Sequence, residues 1–358
     1  MKTLLRLLLK SQHQRHDSGP AQTEKGMTLV ELLVGAIMAF LIITPMLAFV
    51  VDMLNTDRRE QVKSNTEQDI QAAVDFIAQD LSQAIYIYDN NPAITSTPTT
   101  TPTGIPAILN FIPPPDGIQT PILIFWKRQL LKKSLPITAG TQPAECNTNP
   151  CNDTYVLSLV AYYKIRETDS NSIWCQPSGT SCPSRIVRYQ IQDGVRNPYS
   201  IDPLQRYYTN NTDVQKVSSD FNIGDGNKPG FDISKPTENV TKGASSFKNP
   251  DVRSEVLVNY IDESNPGPPV IPNECTTALG NPTTQTGTAI PESTLKITDI
   301  NNINSFYACV DTARNVARVT IRGNSLRRIQ TDADYKPKKS AYFPTASVQV
   351  QGLGARGQ

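Results

Sequence analysis

Histidine is almost missing from this sequence of 358 residues. Only two are present, and both of them, His13 and His16, lie close to the start of the chain. The rest of the chain therefore has no imidazole, the side chain used most often for general acid–base catalysis, for catalytic triads and for zinc ligation. This absence argues against a histidine-dependent hydrolase. We expect that the protein is not an enzyme and that it uses no cofactor.

The chain also lacks an excess of positive charge. It has 34 Lys and Arg residues against 33 Asp and Glu residues, and five of the basic and two of the acidic residues fall within positions 1–26. The remainder thus carries 29 basic and 31 acidic residues. Nucleic-acid-binding proteins have a basic patch or a high isoelectric point. We expect no nucleic-acid partner.

What the sequence does contain is one long uncharged stretch near its start. Leu32 to Val51 is a run of 20 residues without a charge. At 1.5 Å per residue, a helix of this length spans roughly 30 Å, the thickness of the hydrocarbon core of a bilayer. One carboxylate, Glu31, immediately precedes the run. A charge near mid-bilayer costs about 2.5–3.5 kcal/mol, so Glu31 is either an interfacial residue at the headgroups or a functional one.

Residues Lys25 to Glu31 read Lys-Gly-Met-Thr-Leu-Val-Glu. This stretch resembles the processing site of type IV pilins and type II secretion pseudopilins, although that family usually has Phe at the position of Met27. The resemblance implies that residues 1–26 are a cytoplasmic leader peptide, that a prepilin peptidase cleaves after Gly26, and that the new N-terminus at Met27 is methylated. An ordinary secretory signal is the alternative, but its apolar region usually has about 7–15 residues and precedes a small-residue cleavage site.

The same resemblance implies that Glu31 acts in filament assembly. After cleavage the amine of Met27 carries a positive charge, and a carboxylate four residues further on can pair with the amine of a neighbouring subunit. Such a pair offsets two desolvation penalties and sets the axial register between subunits. The implied partners are the prepilin peptidase, other pilins or pseudopilins, the inner-membrane assembly platform and the lipid bilayer. Exported polysaccharide is a further candidate partner.

The remaining sequence predicts an α+β fold of the type IV pilin kind. We expect residues 27–54 to form the transmembrane and filament-core helix and residues 55–89 to continue it as an amphipathic helix, since apolar residues recur at steps of three and four from Ile70 to Tyr88. We expect residues 90–358 to form a β-rich head outside the cytoplasm. This head would be an antiparallel sheet with long loops, and the helix would pack on the sheet. Strand-like runs lie at Pro121–Trp126, Tyr155–Ile165, Ile186–Gln192, Val256–Ile261, Phe306–Val310, Ala317–Ile321 and Ser347–Val350.

All six cysteines follow the apolar run, at Cys146, Cys151, Cys175, Cys182, Cys275 and Cys309. An even number of cysteines is typical of disulfides in an oxidising compartment, here the periplasm or the cell exterior. Six cysteines can pair in fifteen ways, which the sequence leaves open. Short loops favour Cys146–Cys151 and Cys175–Cys182, and these would leave Cys275 to pair with Cys309. We expect no metal site, because the cysteines have neither Cys-x-x-Cys spacing nor a histidine partner.

Two weaker patterns have plain structural interpretations. Gly352 to Gly357 matches a dinucleotide-binding pattern, but the helix that would hold a pyrophosphate has no room before Gln358, so we reject a nucleotide site. Asp225-Gly226-Asn227 could supply oxygen ligands for calcium, as in some pseudopilins, but it lacks the EF-hand series of ligands, so we favour an ordinary turn.

A finer resemblance concerns the head. Tyr162–Ile165, Ser184–Arg188 and Ala317–Ile329 look like stretches of the pseudopilins of cyanobacterial hormogonium polysaccharide secretion. We therefore expect a minor pseudopilin, a membrane-anchored subunit of a machine for polysaccharide secretion and gliding motility. It would sit in the inner membrane with the N-terminus in the cytoplasm and the head in the periplasm. The alternatives are an adhesive minor pilin of an ordinary type IV pilus and a membrane-anchored periplasmic hydrolase.

Overall fold

One long helix, α1 (Leu29–Ser82, 54 residues), begins the part of the chain that the computed structural model describes. The described residues are 28–90, 112, 118–179, 182–192, 194–201, 208, 254–299 and 303–356. The chain divides into two units, residues 1–58 and residues 59–358. The helix continues through Pro45, although proline has no N–H to donate to the preceding turn.

The second part of α1 has one buried face. Ile70, Val74, Ile77 and Leu81 are each at most 1% exposed, which confirms the apolar face expected from their spacing of three and four residues. These side chains join the main core cluster of the head. Burying each such aliphatic side chain contributes roughly 1.5–3 kcal/mol, so packing rather than helix propensity stabilises this part of α1.

The predicted end of the helix near residue 89 is wrong. Helix α1 ends at Ser82, and residues Ala84–Ile87 form strand β1, which pairs antiparallel with the next strand. Residues Ala84 to Tyr88 read Ala-Ile-Tyr-Ile-Tyr, and β-branched and aromatic residues favour a pleated strand. The spacing of apolar residues alone could not exclude a strand. Buried positions four residues apart, such as Ala84 and Tyr88, fit both the helical period of 3.6 residues and the strand period of 2. The head therefore begins earlier than residue 90.

The head contains two antiparallel sheets where the sequence predicts one. The first has the order β1-β2-β3-β4-β5 and the second the order β6-β7-β8-β9. Beyond β1, the strands are β2 (Gln119–Pro136), β3 (Cys151–Arg166), β4 (Ser184–Gln192), β5 (Ser254–Ile261), β6 (Lys296–Ile297), β7 (Phe306–Asp311), β8 (Val316–Arg322) and β9 (Thr345–Gln351). Two short helices, α2 (Glu274–Ala278) and α3 (Glu292–Leu295), precede the second sheet. Every predicted strand is present.

A single core cluster connects the helix with both sheets. It combines side chains of α1 with Phe125 and Tyr162 of the first sheet and with Phe306 and Val319 of the second. A bridge between Ile261 and Gly323 also joins the ends of β5 and β8. The α+β class expected from the sequence is confirmed.

The glycine pattern near the end of the described chain has a packing role. A Cβ atom added at Gly352 would clash with the carbonyl oxygen of Ala84, and one added at Gly354 would clash with that of Ile85. Only glycine allows so close an approach to another backbone segment. These glycines therefore let residues 352–356 lie against the backbone of β1.

Three disulfides hold the head, and the described cysteines include none that is free. They join Cys146 to Cys151, Cys175 to Cys182 and Cys275 to Cys309, with sequence separations of 5, 7 and 34 residues. This is the pairing that short loops favour. The third disulfide links α2 to β7 inside a small apolar cluster.

The longest disulfide loop should contribute most to stability. In the chain-entropy model a loop of about 15 residues is worth about 3 kcal/mol and one of about 100 residues about 4.7 kcal/mol. We expect the double substitution of Cys275 and Cys309 by Ala to lower the free energy of unfolding by an amount between these values, and more than the matched double substitution of Cys146 and Cys151. Denaturant titration of the purified chain measures both. Equal losses would contradict the loop-length argument, as would thiol labelling of the native chain.

Candidate functional site

The first part of α1 is exposed on every side. Each residue from Thr28 to Arg58 is exposed, including large apolar side chains such as Leu33, Phe40 and Phe49. Water-soluble surfaces rarely carry a continuous apolar area of this size, so this segment requires an apolar environment. Among the described residues, α1 is the one helix that is long and apolar enough to cross a membrane.

Glu31 lies in the first turn of this helix. Its backbone N–H donates to the hydroxyl of Thr28 at 3.3 Å, so Thr28 caps the helix start. Within the described residues, the carboxylate of Glu31 has neither a hydrogen bond nor an ion pair, and the side chain is exposed. The other residues of the predicted processing site, Gly26 and Met27, lie outside the described residues. The same is true of Asp225-Gly226-Asn227.

A hydroxyl accompanies the proline in the exposed part of the helix. Pro45 has no N–H to donate to the preceding turn. The hydroxyl of Thr44 donates to the carbonyl oxygen of Phe40 at 2.8 Å, one turn earlier. A polar hydroxyl is thereby satisfied inside an apolar segment, where an unsatisfied one would be costly in lipid.

The other part of α1 carries a buried carboxylate that contacts three neighbouring strands. Asp80 Oδ1 lies 2.6 Å from Lys127 Nζ on β2, and Asp80 Oδ2 lies 2.7 Å from Arg188 Nε on β4. Between them, the hydroxyl of Tyr162 on β3 donates to Oδ2 at 2.7 Å. The guanidinium of Arg188 also lies 5.7 Å from the ring of Phe76 on the helix. This cluster fixes the helix against the first sheet.

The cluster changes the titration of its members. Burial by itself raises the pKa of Asp80, but the hydrogen bonds and charges of Arg188 and Lys127 outweigh it and lower that pKa below its ordinary value of 3.8. Burial, followed by the neighbouring Asp80 carboxylate, raises the pKa of Tyr162. Asp80 is therefore ionised and Tyr162 is a neutral hydrogen-bond donor at neutral pH.

The stretches that carry the finer resemblance contribute four buried basic residues to the described part of the head, in addition to Lys127 on β2. Besides Arg188, they include Lys164, Arg322 and Arg327. Arg322 pairs with Asp262 at 2.9 Å. Arg327 donates to the carbonyl oxygens of Pro177 at 2.6 Å and Cys175 at 3.3 Å, and so holds the Cys175–Cys182 loop. These side chains organise the interior of the head.

The sequence reasoning missed Asp80 and its partners. A signal was available, because Asp80 follows Ile77 by three residues and therefore falls on the apolar face of the helix. A charge on such a face needs a buried partner. Which lysine or arginine meets it depends on how the strands pair, and the helix sequence does not contain that information.

No group of three or more His, Cys, Asp or Glu side chains suited to holding a metal ion occurs in the described parts of the chain. Comparisons with protein-family models, with curated proteins and with solved structures find no match to this chain.

Removing the Asp80 carboxylate should destabilise the head. Asp80→Asn leaves Lys127 and Arg188 as buried charges without their partner, a change that typically costs about 3–5 kcal/mol. Since the pKa of Asp80 is lowered in the folded state, its contribution is complete above the unfolded-state pKa and is lost as the pH falls through the folded-state value. The stability difference between wild type and Asp80→Asn should therefore shrink in acid.

The matched control is Asp75→Asn, one turn and a half earlier on the same helix. Asp75 is exposed and accepts a hydrogen bond from Gln71 at 2.9 Å. We expect it to change stability by at most about 0.5 kcal/mol, as surface substitutions usually do. Urea denaturation of the three proteins across a pH series measures the effect. A pH-independent difference, or equal losses for the two variants, would contradict the role given to Asp80.

Proposed function

We propose that the protein is a minor pseudopilin, a membrane-anchored subunit of a type IV pilus-like or type II secretion-like machine. The observation that carries the proposal is the double character of α1. One helix, Leu29–Ser82, has a fully exposed apolar part and a part buried in the core of a β-sheet head. A subunit whose apolar segment first lies in a bilayer and then packs against other helices in a filament requires this construction.

The position of Glu31 supports the same proposal. It is the one charged residue between Thr28 and Val51, and it stands four residues after Met27. An unpaired carboxylate at the start of an apolar helix is costly in a membrane. A neighbouring subunit with a free N-terminal amine would satisfy it. In this proposal Gly26 is the cleavage site and Met27 supplies the methylated amine.

The finer role is in polysaccharide secretion and gliding, in a low-copy position. This part of the proposal rests on the resemblance of the head stretches around Lys164, Arg188 and Arg322. A head with two sheets and long connections would crowd its neighbours if it were repeated at every filament position. The head would face the periplasm, where the disulfides can form.

Glu31→Ala should separate membrane insertion from assembly. Removing the carboxylate makes insertion easier, by about 2.5–3.5 kcal/mol if Glu31 lies near mid-bilayer, but leaves the amine of a neighbour unpaired. We expect normal membrane abundance, a mature N-terminus at Met27 by mass spectrometry, and reduced recovery of the subunit in sheared filament fractions.

Asp52→Ala is the matched control, because it removes an exposed carboxylate at the other end of the apolar run. It should leave incorporation unchanged. If the Glu31→Ala variant enters filaments normally, Glu31 is only an interfacial residue at the headgroups. A mature N-terminus elsewhere than Met27 in the wild type would exclude the pseudopilin proposal itself.

Deletion of the gene distinguishes secretion from adhesion. If the subunit serves polysaccharide export, the mutant should lose released polysaccharide and gliding while electron microscopy still finds ordinary pili on the cells. Re-expression of the wild-type chain should restore both properties. Loss of the pili with unchanged polysaccharide release would instead support the adhesive or pilus-assembly alternative.

A further inference from the structure

A lysine in the interior of the head lies between two carboxylates. Lys164 Nζ on β3 is 2.6 Å from Asp299 Oδ2 and 2.6 Å from Glu263 Oε1. The three side chains are only 3%, 6% and 8% exposed. One amine and two carboxyl groups are thus held in contact at a site that excludes bulk water.

The surroundings give each carboxylate a defined orientation. The backbone N–H of Ile303 donates to Asp299 Oδ1 at 2.8 Å, which leaves Oδ2 facing the amine. The hydroxyl of Ser184 donates to Glu263 Oε1, the oxygen that also contacts Lys164. Each carboxylate therefore has a fixed orientation: Asp299 directs Oδ2 to the amine, and Glu263 directs Oε1 to it.

The three residues come from separate parts of the fold. Lys164 lies in β3, where it is opposite Thr120 and Ile186 on the two neighbouring strands. Glu263 follows β5, and Asp299 follows β6 in the second sheet, 135 residues after Lys164. A bond between Lys164 and Asp299 would link the two sheets.

We propose that Lys164 and Asp299 are joined by an intramolecular isopeptide bond, with Glu263 as the proton carrier. Transfer of one proton from the Lys164 ammonium to Asp299 gives a neutral amine and a carboxylic acid without changing the total charge. The amine nitrogen then attacks Cγ of Asp299 and forms the new C–N bond.

The condensation balances without an oxidant or a further reactant. Glu263 takes a proton from the attacking nitrogen and passes it to the Oδ2 hydroxyl, so the C–O bond breaks and one water molecule leaves. The N–H of Ile303 is placed to stabilise negative charge on Oδ1 during the attack. The products are a secondary amide, one water and the Glu263 carboxylate in its starting form.

A second buried lysine provides an internal comparison. Lys127 Nζ lies 2.6 Å from Asp80 Oδ1, the same distance as from Lys164 Nζ to Asp299 Oδ2, and both side chains are 9% exposed. In the described residues, however, Lys127 contacts no second carboxylate. The other neighbours of Asp80 are Arg188 and Tyr162, which donate hydrogen bonds to the carboxylate and stabilise its ionised form. We therefore expect an ordinary ion pair there.

Peptide mapping of the full-length protein tests the proposal directly. The chain is purified from membranes in detergent, denatured, reduced and alkylated so that no disulfide remains, and digested with trypsin. We expect a branched peptide that joins the Lys164 segment to the Asp299 segment and lacks the mass of one water molecule, with no cleavage after Lys164. Asp80 and Lys127 lie in one tryptic peptide, residues 64–127, because no Lys or Arg stands between Lys63 and Lys127. The same digest should cleave after Lys127 and yield this peptide at its full mass, without loss of water.

Two variants assign the roles. Glu263→Gln keeps the size of the side chain but cannot carry the proton, and it should abolish the branched peptide. Asp299→Ala removes the acceptor and should do the same. Separate Lys164 and Asp299 peptides in the wild type would overturn the proposal, regardless of the results for the two variants. The three side chains would then form an ordinary buried ion cluster. A branched peptide that persists in Glu263→Gln would overturn the role of Glu263.

Discussion

The carboxylate of Asp80 is the contact on which the position of the helix against the head depends. Apolar side chains such as Ile77 and Leu81 gain from burial in many arrangements, because hydrophobic contact has no preferred direction. A buried carboxylate is different, since it is tolerated only where Lys127, Arg188 and Tyr162 can all reach it. Sliding α1 by one turn would bury the charge without these partners. The ion cluster thus selects one arrangement among those that the core would allow.

The sequence predicted where the helices and strands lie better than it predicted which strands pair with each other. The strands from β2 onward were foreseeable except for the two-residue β6, because runs such as Ile122 to Trp126 are apolar and rich in β-branched or aromatic residues. The division into two sheets was not foreseeable, since it depends on which strands pair over long separations. The predicted end of α1 was wrong. Apolar residues in the strand-forming stretch Ile85 to Tyr88 happen to continue the helical spacing of the residues before it.

The candidate site was predictable only in part, for a similar reason. Glu31 is recognisable because a charge at the edge of an apolar run stands out in the sequence itself. Lys164 and Asp299, in contrast, look like ordinary solvent-exposed residues until the fold brings them together from positions 135 residues apart. Buried polar groups of the head are therefore visible only in the folded structure. Their partners are set by strand register and by the connections that follow β5 and β6.

The long sequence separation between α1 and its partners affects the timing of folding. The helix is made first, but Asp69 at its surface pairs with Arg328, 259 residues later. At a synthesis rate of about 5–20 residues per second, roughly 13–52 s pass between the two. Through most of this interval the apolar face that includes Ile70 and Val74 lacks the second sheet, with which it shares one core cluster. Nascent chains should thus depend on a chaperone or on the membrane surface until the last strands emerge.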